Sequence, residues 1–166
     1  GEDWGDSPGT LIKMRERDLP AYRHYGGHIV ASDSVTLSGG HILRATSLAA
    51  GNVGSDIWYK RVAGIGDLRS RETITFATPP RPWTGIGLGQ HSSTPNAARL
   101  FFIRSSDGKM MYRDYAVGTG FAGTYQYSNS PALAYDGVAI APISHDEGFV
   151  ISYSPTSCVI TLYRFS

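Results

Sequence analysis

The sequence predicts an all-β protein made of three repeated four-stranded antiparallel units, propeller-like and closed by oligomerisation. Three observations carry this. Twenty glycines and nine prolines punctuate short runs rich in Val, Ile, Tyr, Phe and Thr. Hardly any window keeps a 3.6-residue apolar rhythm, so short strands are favoured over helices. A hairpin ending in Tyr followed by Lys or Arg recurs three times, at Tyr59, Tyr112 and Tyr163, with spacings of 53 and 51 residues. Four-stranded sheets repeated every 40 to 55 residues are the sequence form of propeller blades. The same composition also suits a β-sandwich or an intertwined homotrimeric fibre-tip domain.

Taken in order, LIKMRERD (11–18) reads as a strand with Ile12 and Met14 on one face and Lys13, Arg15 and Arg17 on the other. HIVASDSVTL, HILRATSL, DIWYKRVAG and ETITFATPP form the four strands of a first unit, over residues 27–80. TGIGLGQHS, the hairpin NAARLFFIRSSDGKMMYRD, and TYQYSNSP form a second, over 81–131. GVAIAPIS and the hairpin EGFVISYSPTSCVITLYRF give a third, over 132–166, with only three strands; residues 9–16 are expected to supply the fourth, from the same chain or another. An unpaired edge invites aggregation, which is the physical motive for that closure. Three blades are fewer than a ring needs, so a homo-oligomer, dimer or trimer, is expected. Cys158 lies between Ser157 and Val159 in a β-branched run and reads as a small core residue.

A formal charge of +1, with 17% charged residues, argues against a phosphate-tracking surface, and nucleic acid is not an expected partner. No apolar run approaches the roughly 18 residues that span a bilayer, and the leading GEDWGDSPGT is acidic and polar, so no membrane insertion is expected. Arginines outnumber lysines twelve to three, and Arg is the cation whose planar fork suits carboxylates, hydroxyls and aromatic faces. The single cysteine can form no intrachain disulfide, which leaves the compartment open.

ARLFFIRSSDGKMMYRDYAVGTGFAG, from residue 98, resembles one repeat of the fucose-binding β-propeller lectins, in which an Ile-Arg-Val-Tyr strand, a Gly-Lys turn, a Glu-x-x-Trp strand and a Gly-Trp-Tyr-x-Gly element follow one another. The resemblance puts Arg99 on the family's sugar-binding arginine and Tyr115 and Phe121 near its stacking tryptophans. Tyr112 stands at the glutamate position, so fucose specificity is not implied. The other units resemble the repeat more loosely: Arg44 lies near the arginine position in the first, and Phe149 replaces it in the third. SSDGK (105–109) also resembles the Asp-box turn of sialidase propellers, but Asp107 adjoins Gly108 where that turn has Asp-x-Gly. Asp107-Gly108 is what a two-residue hairpin turn demands, both central residues taking positive φ.

A sugar presents hydroxyls around its rim and weakly polar C–H faces, so its sites pair an aromatic platform with Arg, Asp, Asn or Gln. The candidate ligand-binding residues are Arg99, Arg113, Tyr115, Phe121 and Tyr125 in the second unit, with Arg44, Trp58 and Trp83 from the first and its following linker. Trp83, in the Pro-flanked loop RPWTG, has the best claim among the tryptophans to face a ligand. His24 and His28 sit four apart in YRHYGGH, but two glycines break any helical spacing and no further ligand completes a zinc set. HDEG (145–148) reads as an exposed turn without the spaced oxygens of a calcium loop. No metal and no cofactor are expected, and no G-x-S-x-G elbow or phosphate-cradling glycine motif is present. The function expected is non-enzymatic, lectin-like recognition of cell-surface glycans or glycosylated receptors, at an extracellular or virion surface. The rival readings are a receptor-binding tip of a phage or virus fibre and a fragment of a glycoside hydrolase, whose two carboxylates leave no local signature.

Overall fold

A computed structural model describes residues 28–49, 57–62, 72–74, 83–135 and 137–166. The strand read at 11–18, the closing segment 9–16 and His24 lie outside these residues, as do the side chains of His28 and Trp58. The described chain is all-β, with one short 3-10 turn at Ser38–Gly40. Its strands form three antiparallel sheets, each a meander in sequence order. The first holds β1 (His28–Thr36), β2 (Ile42–Ala49), β3 (Ile57–Val62) and β4 (Glu72–Ile74). The second holds β5 (Ile86–Gln90), β6 (Ala97–Ile103), β7 (Met110–Ala116) and β8 (Gly120–Gln126). The third holds β9 (Val138–Pro142), β10 (Gly148–Ser154) and β11 (Val159–Phe165).

The second sheet is the middle layer, and strand alternation divides its side chains between two cores. Leu88, Ala98, Leu100, Phe102, Met111 and Tyr115 pack with Leu43 and Ala45 of the first sheet and with Leu37 of its β1–β2 connection. Phe101, Ile103 and Met110 point the other way and pack with Val138, Val150 and Phe165 of the third. Leu43, Ala45, Leu100, Phe101 and Ile103 are wholly buried, and each large apolar side chain so removed from water contributes about 1.5–3 kcal/mol before entropy is charged.

Consecutive sheets meet at their first strands: β1 and β2 lie on β5, and β5 lies on β9. Glycine makes the second contact close. A Cβ on Gly87 would come within 2.9 Å of Pro142, and one on Gly89 within 2.5 Å of the Ser144 carbonyl carbon. A strand bare on one face lets two backbones approach to where side chains would collide. Against the first sheet, the Asp33 carboxylate accepts a hydrogen bond of 2.8 Å from the Leu88 backbone N–H, meeting a donor that an edge strand would leave unpaired.

The sheets place Tyr59 on β3, Tyr112 on β7 and Tyr163 on β11, the third strand of each. Their facing differs. Tyr112 stands opposite Phe101, which is turned towards the following sheet, while Tyr59 holds the register position opposite Ala45 and its side chain lies outside the described residues. Tyr163 stands opposite Val150, which turns back onto the second sheet. A one-residue difference in register moves a side chain to the other face, so Leu162, not Tyr163, points the same way as Phe149, Ile151 and Tyr153. Those three, with Ile160 and Leu162, make an uncovered apolar face on the third sheet.

Two further expectations are corrected. The β6–β7 connection is a longer loop in which Gly108 N–H bonds to Arg104 O at 2.8 Å and Arg104 N–H to Lys109 O at 2.9 Å. Only Gly108 takes positive φ there, at 71°, and Asp107 does not. Asp107 instead grips Arg104 through two contacts of 2.9 and 2.6 Å, and that hydrogen-bonded pairing lowers its carboxyl to about 2. Cys158 is not a core residue: it is exposed in the β10–β11 turn with φ 55°, a left-handed conformation in which a short turn holds the side chain away from the sheet.

Candidate functional site

The seam between the second and third sheets gathers a charged and aromatic cluster. Arg99 on β6 pairs with Asp114 on β7 by hairpin register, and its Nε donates to Asp114 Oδ1 at 2.7 Å. The guanidinium carbon lies 3.8 Å from the centre of the Tyr112 ring. Burial works against the Arg99 charge, but the hydrogen bond and charge of Asp114 outweigh it, and its pKa is raised. The Arg99 side chain is 18% exposed and that of Asp114 is 48% exposed, so the carboxylate is the wetter half of the pair.

Aromatic rings continue the cluster outward and inward. Tyr125 on β8 stacks on Tyr112 with centroids 5.2 Å apart, and is half exposed. Tyr127 lies on the inner side, 5.3 Å from Tyr112 and 5.9 Å from Phe165. Burial pushes the Tyr127 phenol above its ordinary value, with the Arg99 charge opposing. Its hydroxyl is buried without a well-aligned hydrogen-bond partner. The placement of Tyr125 follows from a β-bulge between Tyr112 and Asp114, where β8 carries one residue more than β7. Gly123 in that bulge has φ 70°, and a Cβ there would lie 2.5 Å from the Tyr125 ring. The missing side chain lets the ring fold back onto Tyr112; bulges commonly re-aim side chains in this way.

Beside the Arg99–Asp114 pair is a basin of about 270 Å³. Ala97, Ala116, Gly120 and Ala122 give it small residues, and His91, Thr94, Arg99, Asp114 and Thr119 supply polar groups. The volume fits a single sugar-sized ring, and Asp114 is the one carboxylate among the described residues that lines it. His91 stacks on His145 of the β9–β10 loop with ring centroids 3.8 Å apart and planes inclined by 18°. Among the described residues no group of three or more His, Cys, Asp or Glu could hold a metal ion.

Of the candidates named from sequence, Arg99 and Tyr125 come together here through Tyr112. Arg113, Tyr115 and Phe121 are on the opposite face of the same sheet, where Tyr115 is 4% exposed and packs 5.0 Å from Phe121. The Arg113 guanidinium lies 5.6 Å from the Phe121 ring, and its Nε donates to Gly123 O at 2.8 Å. Tyr115 packs into the core, because its position alternates with that of Asp114, and it also contributes to the lining of the basin beside Arg99. Arg44 is exposed on the first sheet, one residue out of phase with the buried Leu43 and Ala45, and so points away from the second sheet and from this cluster. Trp58 occupies the register position opposite Thr46 and Thr73, and its side chain lies outside the described residues. Trp83 does not face a ligand: it is 2% exposed, packed edge-on against Phe102 and Tyr135 at 5.6 and 5.4 Å. Trp83 belongs to the core between the first and second sheets, which its proline flanks gave no sign of.

Sequence reasoning missed Asp114, Tyr127, His91 and His145 as members of the site. Asp114 was recoverable, since any hairpin joining Arg99 to the strand after the turn puts a β7 residue directly beside it. The histidines were not, because their contact joins two sheets. Compared with protein-family models and with curated proteins, the chain matches none.

Proposed function

We propose that the chain is a non-enzymatic carbohydrate-binding module whose site is the Arg99 basin. The observation that supports this best is the bracing of Arg99 between Asp114 and the Tyr112 ring, with a half-exposed tyrosine alongside. A guanidinium held over an aromatic ring, with Nε and Nη2 directed at the two Asp114 oxygens, is fixed in orientation and turns its remaining N–H groups to ligand hydroxyls. Asp114 accepts from a further hydroxyl, and Tyr125 offers a face to sugar C–H groups. Glycoside hydrolysis would require a second carboxylate across the basin, and no second one lines it among the described residues.

The three meanders act in this reading as blades in contact at their first strands, with the ligand-sized basin on the second blade beside its seam with the third. Further copies of the chain cover the apolar face of the third sheet and complete the ring. Several shallow sites on one rigid assembly then add avidity without improving any single contact. Glycans on a cell surface, or on a glycosylated receptor, are the ligands such an assembly suits.

The test is a glycan array at neutral pH, followed by titration of the best hit. Arg99→Ala lowers affinity at least tenfold, the scale of a charge-assisted hydrogen bond, and Arg99→Lys falls between because it keeps the charge without the fork. A wild-type protein that binds nothing across a diverse array overturns the reading, as does an Arg99→Ala protein that binds as well as wild type.

A further inference from the structure

We propose that the stacked His91–His145 pair is an acid-released latch that holds the third sheet to the rim of the Arg99 basin. The geometry commits both rings to the neutral form. His145 Nδ1 accepts the Ser92 backbone N–H at 3.2 Å, across the seam. His91 Nδ1 accepts the Ser93 and Thr94 backbone N–H groups at 3.2 and 3.0 Å, and so organises the loop that forms one wall of the basin. A nitrogen that accepts from an N–H carries no proton, so in both rings the proton sits on Nε2.

Protonation therefore does two things at once. It replaces an acceptor at Nδ1 with a donor that opposes a backbone N–H, and it places a positive charge against a ring whose centre is 3.8 Å away. Both penalties fall on the latched state alone. A partner for the protonated ring is already in place, because Asp146 Oδ1 lies 3.7 Å from His145 Nδ1, held there by the Ser144 hydroxyl at 2.8 Å. On protonation His145 exchanges Ser92, on the second sheet, for Asp146, on its own loop. The contact across the seam becomes a contact within one loop.

The charged groups that face the pair are Arg99 from β6, Asp114 from β7 and Asp146 from the β9–β10 loop. Glu147 of that loop is engaged by Arg164 at 3.3 Å. Burial, then the His91 ring, lower the His145 pKa, and Asp146 opposes them. The sign follows. A histidine whose folded pKa lies below its unfolded value gives stability that is complete above about 6.5 and is lost as pH falls through the folded value. The latch is closed at neutral pH and opens in acid.

That opening releases a bound glycan rests on the carbohydrate reading; the latch itself does not. The experiment is therefore a proton–nitrogen NMR titration of the unliganded chain from pH 7.5 to 4.5, with glycan affinity measured separately. In wild type the Ser92 and Thr94 amides move together with the His145 imidazole, at a midpoint below its ordinary value of about 6.5. His145→Asn and His91→Asn keep an acceptor oxygen in place of Nδ1 but cannot titrate. In the double variant those amides do not shift, and glycan affinity, reduced about tenfold by acid in wild type, becomes independent of pH over this range. Amides of Ser92 and Thr94 that ignore pH in wild type overturn the latch. So does a double variant whose amides still titrate as in wild type. Coupled titration in a protein that binds no glycan leaves the latch standing and overturns only the function of the basin.

Discussion

Substituting Gly89 by alanine tests the close approach on which the site depends. The added Cβ would overlap the Ser144 carbonyl, lying 2.5 Å from its carbon and 2.9 Å from the His145 nitrogen. Carbon atoms rest at about 3.5 Å or more, so β5 and the β9–β10 corner must separate by about 1 Å. All three neighbours are backbone, and no side chain can rotate away to absorb the strain. Overpacking of this kind costs about 1–3 kcal/mol. The His145 N–H to Gln90 O bond, 2.8 Å long, lies at the same point and is lost as the strands part, adding about 1 kcal/mol. The expected destabilisation is about 2–4 kcal/mol, or a fall in Tm of roughly 5–15 °C for a chain of this size. Differential scanning calorimetry reads it directly. Gly118→Ala is the control, because its Cβ meets nothing within 4 Å and only a left-handed backbone, φ 95°, resists it, at a cost of about 1–2 kcal/mol. Gly89 also stands opposite Arg99 in the ladder, so under the proposed carbohydrate reading glycan affinity falls with stability. A Gly89→Ala protein that melts within a degree of wild type would refute the reasoning that bare backbone sets the distance between these sheets.

Other expectations follow from the third sheet. If further copies cover its apolar face as proposed, Leu162→Asp, at a position 64% exposed in the middle of that face, leaves the fold intact and shifts sedimentation velocity towards monomer; a wild-type protein that is already monomeric, or an oligomer unchanged by the substitution, would refute that role for the face. Cys158 reacts fully with a thiol reagent in the native protein, since it is exposed in a turn, and a thiol that reacts only after unfolding would contradict that placement.

The strand-rich fold was legible because glycine and proline mark the ends of strands locally, and a local signal needs no tertiary context. The even spacing of Tyr59, Tyr112 and Tyr163 located the third strand of each sheet but not the face each residue takes. Facing depends on register to the residue, and loop lengths that differ by one invert it. Cys158 and Trp83 were misplaced in opposite directions for one reason. In both, chain neighbours were read as tertiary surroundings: a β-branched neighbourhood suggested burial for a turn residue, and proline neighbours suggested exposure for a residue that packs in the core. Half of the site was visible in Arg99 and Tyr125. The rest, Asp114 and the two histidines, depends on partners 15 or more residues away, where pairing between strands and sheets decides the contact.

The bulge in β8 separates the outermost strand of the second sheet from the ladder that fixes Arg99. The exposed positions 122, 124 and 125 can exchange side chains while β5, β6 and β7 keep their register, although Gly120 and Gly123 hold positive φ and Phe121 packs on Tyr115. The sheet edge bearing Tyr125 can thus vary in sequence beside a platform that stays constant, and under the carbohydrate reading that edge is where substitution would alter which ligand is held.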